Sequence, residues 1–223
     1  EIAYVDVMVC AWFLAGLYFW ACFYRERRLR DVILFSLSLG MLIGTKTLAL
    51  LYGGILFLVF FLSLFKARNK FVPYLLLSAS LIALVGGYGY IRNFVDTGNP
   101  LYPMKLELLG REIFKGVYDK SNYSVRFISG DYSLSKIFFH EGMGAGAIVF
   151  IIPGFLYSLY TIVRRKANFL VSLIFSLPLV LFLAWRYLIP LANLRYLYPA
   201  IAAAYIAPFY FLQARPKLKI AAR

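Results

Sequence analysis

The chain has 223 residues, 62% of them hydrophobic and 19% aromatic, and a formal net charge of +14. Its mean hydropathy is +0.76. Soluble domains are only about half apolar, so the composition excludes an ordinary soluble domain and points to an integral membrane protein. The positive charge does not point to nucleic acid, because it forms no basic stripe and no motif of that kind accompanies it. It is gathered in four clusters: Arg25-Glu26-Arg27-Arg28-Leu29-Arg30, Lys66-Ala67-Arg68-Asn69-Lys70, Arg164-Arg165-Lys166 and Arg215-Pro216-Lys217-Leu218-Lys219. Positive residues that flank membrane spans stay in the cytoplasm, so all four are expected inside, beside anionic lipid headgroups.

The first apolar run, Val5 to Tyr24, matches one bilayer thickness of helix and ends in the first basic cluster, which places Asp6 outside. Cys10 and Cys22 fall within this run, about 18 Å apart at the helical rise, too far for a disulfide. Val32 to Phe65 is too long for one spanning helix, and basic clusters flank both ends. It is broken once, at Gly44-Thr45-Lys46-Thr47. A hairpin of two short helices is expected, with Lys46 at or near the outer turn. A lysine against lipid is costly, so Lys46 is expected in a water-filled pocket.

Phe71 to Tyr90 crosses outward and delivers Arg92 and Asn93. Residues 92–145 are the one long polar stretch and are expected outside the cytoplasm. The prolines of Thr97-Gly98-Asn99-Pro100-Leu101-Tyr102-Pro103 cannot continue a helix. Behind them, Leu106, Leu109, Ile113 and Phe114 recur at helical spacing among charged residues, which predicts a short amphipathic helix in the outer interface. Ser133 to His140 is a second candidate of that kind. Ala147 to Val163 returns inside, Phe169 to Trp185 goes out, and Leu197 to Leu212 comes back.

The expected fold is therefore all-α, with seven transmembrane helices in a single polytopic domain over 1–223. On this topology the inside segments hold fourteen Lys or Arg and two acids, and the outside segments hold ten and eight. That is the asymmetry the positive-inside rule requires.

The same topology collects the unusual polar residues on the outer face. Asp6 opens the first helix, where an acid can bind a divalent cation, orient a basic partner, act as a base, or cap the helix dipole. It is a metal candidate. Lys46 sits at a helix break between Gly44, Thr45 and Thr47, where a point charge and backbone donors suit an anionic phosphate. Arg92, Arg186 and Arg195 end spans on the side where cations are disfavoured, and an arginine fork matches phosphate oxygens. His140-Glu141 precedes a glycine-rich run and could serve acid–base chemistry, bind metal, or mark an interfacial loop. No phosphate-binding Gly-Lys-Ser/Thr loop, Cys-x-x-Cys or His-Glu-x-x-His occurs, so ATPase, haem and zinc-protease chemistry have no motif support.

Tyr90-Ile91-Arg92-Asn93 followed by Thr97-Gly98-Asn99-Pro100-Leu101-Tyr102-Pro103 resembles a motif of the GT-C superfamily of membrane glycosyltransferases. The branch is that of protein mannosyltransferases and aminoarabinose transferases. Ala3-Tyr4-Val5-Asp6 resembles that family's second acidic position. Leu39-Gly40-Met41-Leu42-Ile43-Gly44-Thr45-Lys46 resembles its Gly-rich helix end with Thr-Lys, and Arg195-Tyr196-Leu197-Tyr198-Pro199 resembles the start of a late helix.

The resemblance spans most of the chain. It implies an inverting transfer of a sugar from a polyprenyl-phosphate-linked donor to a lipid, glycan or protein acceptor, on the extracytoplasmic face of the plasma membrane. It implies Asp6 as a catalytic carboxylate that orients the acceptor, binds a metal or assists the family's first acid, Lys46, Arg92 and Arg195 on the donor phosphate, and Asn93, Asn99, Tyr102, His140, Glu141 and Tyr196 on the sugar side. A divalent cation accompanies some members. The family's first acidic loop lies upstream of its second acidic position, so the chain is expected to lack it. A lipid-linked oligosaccharide polymerase or ligase, and a transporter or flippase with charges at the membrane midplane, are the alternatives.

Overall fold

The computed structural model describes residues 2–108, 111–117, 152–164, 169–188 and 194–206. The chain divides into two compact units, Glu1–Ser129 and Gly130–Arg223. The first holds helices α1 (Ile2–Glu26), α2 (Leu29–Thr45), α3 (Ala49–Leu64), α4 (Phe71–Gly86) and α5 (Tyr88–Thr97), with a 3-10 turn at Phe65–Lys70. Two short strands follow, β1 (Leu106–Leu108) and β2 (Arg111–Phe114).

The first turn is built by an arginine. Arg27 adopts a left-handed backbone, φ 56°, and its N–H donates to the Phe23 carbonyl at 2.9 Å. This is the single-bond cap that ends many helices, usually on glycine. The side chain explains why arginine stands there. Its guanidinium donates to the Ser63 carbonyl at 2.9 Å and lies 5.1 Å from the centroids of both Phe23 and Tyr24. Trp20 Nε1 donates to Ser63 Oγ at 3.0 Å. The end of α1 is thus clamped to the last turn of α3, and the first two basic clusters share one end of the unit.

A left-handed residue with a Cβ costs about 1–2 kcal/mol. Arg27→Gly therefore loses the clamp but relieves the backbone, while Arg27→Ala loses the clamp and keeps the strain. Thermal midpoints in detergent are expected to fall in the order wild type, Gly, Ala. A Gly variant as unstable as Ala would contradict this.

Each of the first four helices gives one ring to a buried cluster above that clamp. Phe35 of α2 stacks on Phe60 of α3 with centroids 4.4 Å apart. Phe23 of α1 lies 5.3 Å from Phe60 and 5.9 Å from Tyr74 of α4. Ring pairs of this kind add about 0.5–1.5 kcal/mol each beyond the area they bury.

The α2–α3 break falls at Lys46–Leu48, where the hairpin was expected. Beyond α5, however, residues 106–108 and 111–114 are strand and not helix, and Leu109 lies outside the described residues. β1 and β2 pair antiparallel, with Glu107 opposite Glu112 and Leu108 opposite Arg111. The helical spacing of Leu106, Ile113 and Phe114 gives way to the ladder, in which Leu106 pairs with Phe114. Two glutamates face each other across the ladder, which alone is unfavourable. Lys105 Nζ lies between them, 2.5 Å from Glu107 and 3.1 Å from Glu112. These bonds raise the Lys105 ammonium above its ordinary pKa. The clamp is accordingly complete below the ordinary lysine range and is lost only as pH rises through the raised value.

The second unit holds α6 (Ile152–Val163), α7 (Phe169–Leu188), a 3-10 turn at Leu194–Leu197 and α8 (Tyr198–Ala204). Leu177, Leu181 and Trp185, spaced four apart on α7, are buried, while Leu179, Val180, Leu183 and Tyr187 are exposed. An exposed face this apolar suits lipid rather than water.

Two described helices are long and apolar enough to cross a membrane, Val5–Glu26 and Phe169–Tyr187. A third crossing arises if Phe71–Gly86 and Tyr88–Thr97, bent by 67°, count as one span. Among the described residues the number is therefore two or three, not seven. The expected spans at α2, α3, α6 and α8 are helices of 17, 16, 12 and 7 residues, shorter than the roughly 20 that cross a bilayer untilted. Parts of the expected spans at 147–151 and 207–212 lie outside the described residues.

Candidate functional site

Asp6 faces the wrong way for a surface acid. It is 4% exposed, while its neighbours Val7 and Met8 are 60% and 56% exposed. The apolar side chains point outward and the carboxylate points into the helical bundle. Lys46 meets it there, with Nζ 2.7 Å from Asp6 Oδ1. The lysine reaches this position because α2 stops at Thr45 and Lys46 turns extended, φ −161° and ψ 137°. α3 then restarts at once, with Ala49 N–H on the Lys46 carbonyl at 2.9 Å and Leu50 N–H on the Thr47 carbonyl at 3.1 Å. The Thr45 hydroxyl donates back to the Met41 carbonyl at 2.6 Å.

At the helix break the N–H groups of Ala49 and Leu50 and the Thr45 hydroxyl already have partners. What it offers is an ammonium whose side chain is 26% exposed beside a carboxylate that is only 5% exposed. Taking two charges out of water costs several kcal/mol per ion and their attraction only roughly repays it. Apolar residues would pack the same space at least as stably. The pair gives the bundle end charge and direction more than stability.

Tyr90 joins α5 to this end. Its hydroxyl donates to the Ile43 carbonyl at 2.7 Å, one of the last carbonyls of α2, which lack helical partners. Arg92 follows two residues later and is exposed, in long contact with Asn93 Oδ1 at 3.5 Å. Tyr90 belongs to the quoted motif but not to the expected site. A phenol two residues before an exposed arginine was the available signal.

The other expected loop residues are occupied with the loop itself. Asn93 Nδ2 donates to the Tyr102 carbonyl at 3.2 Å. Asn99 is buried and acts as a hub: Nδ2 donates to the carbonyls of Met104 at 2.7 Å and Lys115 at 2.9 Å, and Oδ1 accepts the Leu101 N–H at 2.8 Å. Replacing it with alanine strands three backbone groups. At about 0.5–1.5 kcal/mol per net bond, Asn99→Ala is expected to cost about 2–4 kcal/mol. Faster proteolysis at residues 99–117 than in wild type checks it, and unchanged cleavage would count against it.

In the second unit Tyr196 is buried and Arg186 lies 5.7 Å from the Tyr187 ring. The backbone of Arg195 lies in the 3-10 turn, and its side chain is outside what is described. His140, Glu141 and the element expected at Ser133 to His140 also lie outside the described residues.

Among the described residues, no three His, Cys, Asp or Glu side chains gather closely enough to hold a metal ion. Asp6, a candidate ligand, has an ammonium on one oxygen.

No family model, curated protein or solved structure matches the chain.

Proposed function

We propose that the chain is the membrane body of a glycosyltransferase that takes a sugar from a polyprenyl-phosphate-linked donor and passes it to a lipid, glycan or protein acceptor on the extracytoplasmic face. The Asp6–Lys46 pair at 2.7 Å carries the reading. It is supported by the loose, ordered resemblance to GT-C enzymes and by the basic clusters at the opposite end of the same helices. In this reading the chain is a multi-pass protein of the plasma membrane.

The donor's tail lies in lipid and its phosphate at the interface, within reach of a half-exposed lysine. Lys46 leaves Asp6 for the phosphate. The acceptor oxygen attacks the anomeric carbon from the face opposite the phosphate, the carbon–oxygen bond to phosphate breaks, and its electron pair leaves on polyprenyl phosphate. Lys46, helped by Arg92, stabilises that growing negative charge. Asp6, relieved of its partner, receives the hydrogen bond and the proton of the acceptor hydroxyl. Asn93, Asn99 and Tyr102 hold the loop that shapes the sugar side. Lys46 sits at a turn between helices and not within a broken helix, which favours interfacial transfer over transport.

The test is transfer from a radiolabelled polyprenyl-phosphate sugar by the reconstituted full-length protein. Arg92→Ala is expected to lower turnover about tenfold, as loss of one exposed charged contact worth roughly 1.5 kcal/mol. Wild-type transfer by both Arg92→Ala and Lys46→Ala would sink the proposal.

A further inference from the structure

The exposed face of α5 has a pattern that neither a span nor a soluble helix explains. Tyr88, Ile91, Phe94 and Val95 are 74%, 63%, 55% and 75% exposed. At 100° per residue they fill one arc of the helix. Arg92 and Asp96, both exposed, fill the next arc. Tyr90, Asn93 and Thr97 fill the third, and this arc is tied to protein. Tyr90 bonds Ile43 and Asn93 bonds Tyr102. Thr97 Oγ1 lies 3.3 Å from the Asn99 carbonyl. One helix thus presents three separate faces: protein, apolar and charged.

The bend gives these faces a common surrounding. α4 ends at Gly86 with Leu76 and Leu84 exposed on its side, as lipid-facing residues are. α5 leaves it at 67°. Ten helical residues are about 15 Å long, so at that angle α5 advances only about 6 Å along the axis of α4. Length alone does not exclude α5 from a crossing, but a crossing completed by α5 would take Arg92 and Asp96 into the bilayer, which is costly. A helix lying along the bilayer surface meets all three demands, with its apolar arc among the upper acyl chains and its charged arc at the headgroups.

We infer that α5 is an in-plane interfacial helix whose apolar face docks onto the bilayer surface where α4 emerges, and that α4 and α5 are not one bent span. The occupant of the exposed face is lipid. This role falls to α5, since β1 and β2 pair as strands. The inference rests on the apolar helices of the first unit and is independent of sugar transfer. Its consequence is that Arg92 is fixed at headgroup level, on the same end of the bundle as Lys46.

The test uses the full chain in liposomes with Cys10→Ala and Cys22→Ala and single nitroxide labels at 88, 91, 92, 95 and 96. Labels at 88, 91 and 95 are expected to meet oxygen preferentially and to sit at one shallow depth. Labels at 92 and 96 are expected to meet a water-soluble nickel chelate. Depth that changes steadily from 88 to 96 would overturn the inference in favour of a span, and nickel access at every position in favour of an aqueous helix. Exclusion of both reagents with dipolar broadening would overturn it in favour of a second copy of the chain. If the cysteine-free chain does not fold, acyl-chain diazirine lipids applied to the unaltered protein decide the point. Adducts at 88, 91, 94 and 95 but not at 92 or 96 are expected, and adducts spread evenly over α5, or none there, would overturn it.

Discussion

Lys46→Met is expected to lower sugar transfer at least about 100-fold, the scale seen when one preorganised donor to a developing negative charge is removed. The same change leaves the buried Asp6 carboxylate without its ammonium. Breaking a fully buried pair costs about 3–5 kcal/mol. Because the Lys46 side chain is 26% exposed and solvent screens it, about 1–2 kcal/mol is expected here. The two consequences can be separated. Asp6→Asn combined with Lys46→Met removes both charges and restores the thermal midpoint in detergent, but it does not restore transfer. If the pair were only structural, activity measured per folded molecule would return with stability.

Gly86→Leu is expected to produce the largest loss of stability in the first unit. A Cβ at Gly86 would stand 2.5 Å from the Gly40 carbonyl oxygen and 2.6 Å from Ile43 Cγ1. From the other side, a Cβ at Gly40 would stand 2.9 Å from Val85 Cβ, and one at Gly44 would stand 3.1 Å from Gly86 Cα. Gly40-x-x-x-Gly44 on α2 and Gly86 on α4 let two backbones touch, which is how membrane helices associate where burial from water offers little.

A clash against backbone cannot be relieved by changing a rotamer. Gly86→Ala is expected to cost about 1–3 kcal/mol as overpacking, and leucine more. Separating α4 from α2 also pulls Tyr90 from Ile43, so the support of α5 goes with it. Gly54, whose added Cβ meets nothing within 4 Å, is the control, and Gly54→Ala should change stability by less than about 0.5 kcal/mol. Thermal unfolding followed by ellipticity reads all three variants. A Gly86→Leu midpoint equal to that of Gly54→Ala would contradict the crossing.

The helices were legible because the period and length of apolar runs are local properties. The break at Lys46 was legible because a lysine and a glycine interrupt one such run. Residues 106–108 and 111–114 were misread because Leu106, Ile113 and Phe114 recur at helical spacing, and the contact of Lys105 with Glu107 and Glu112 depends on a ladder register that local spacing does not encode. The Asp6–Lys46 contact joins residues 40 apart in sequence. Their shared sidedness was readable from the basic clusters, but their 2.7 Å contact was not. Arg27 was counted as one cation in a cluster. Its clamp on Ser63 needs the ends of α1 and α3 to meet, which is tertiary information. The glycines of α2 were noted as a helix-end pattern, and their role as a crossing appears only once Gly86 is seen opposite them.

Binding of polyprenyl phosphate to the nanodisc-reconstituted protein measures whether Lys46 exchanges Asp6 for a lipid-linked phosphate. Lys46→Gln is expected to weaken binding about tenfold or more, the scale of one charge-assisted bond of roughly 1.5–3 kcal/mol. Asp6→Asn is expected to tighten binding, because the ammonium no longer has to leave a carboxylate. Equal affinity in all three proteins, or weaker binding in Asp6→Asn than in wild type, would contradict it.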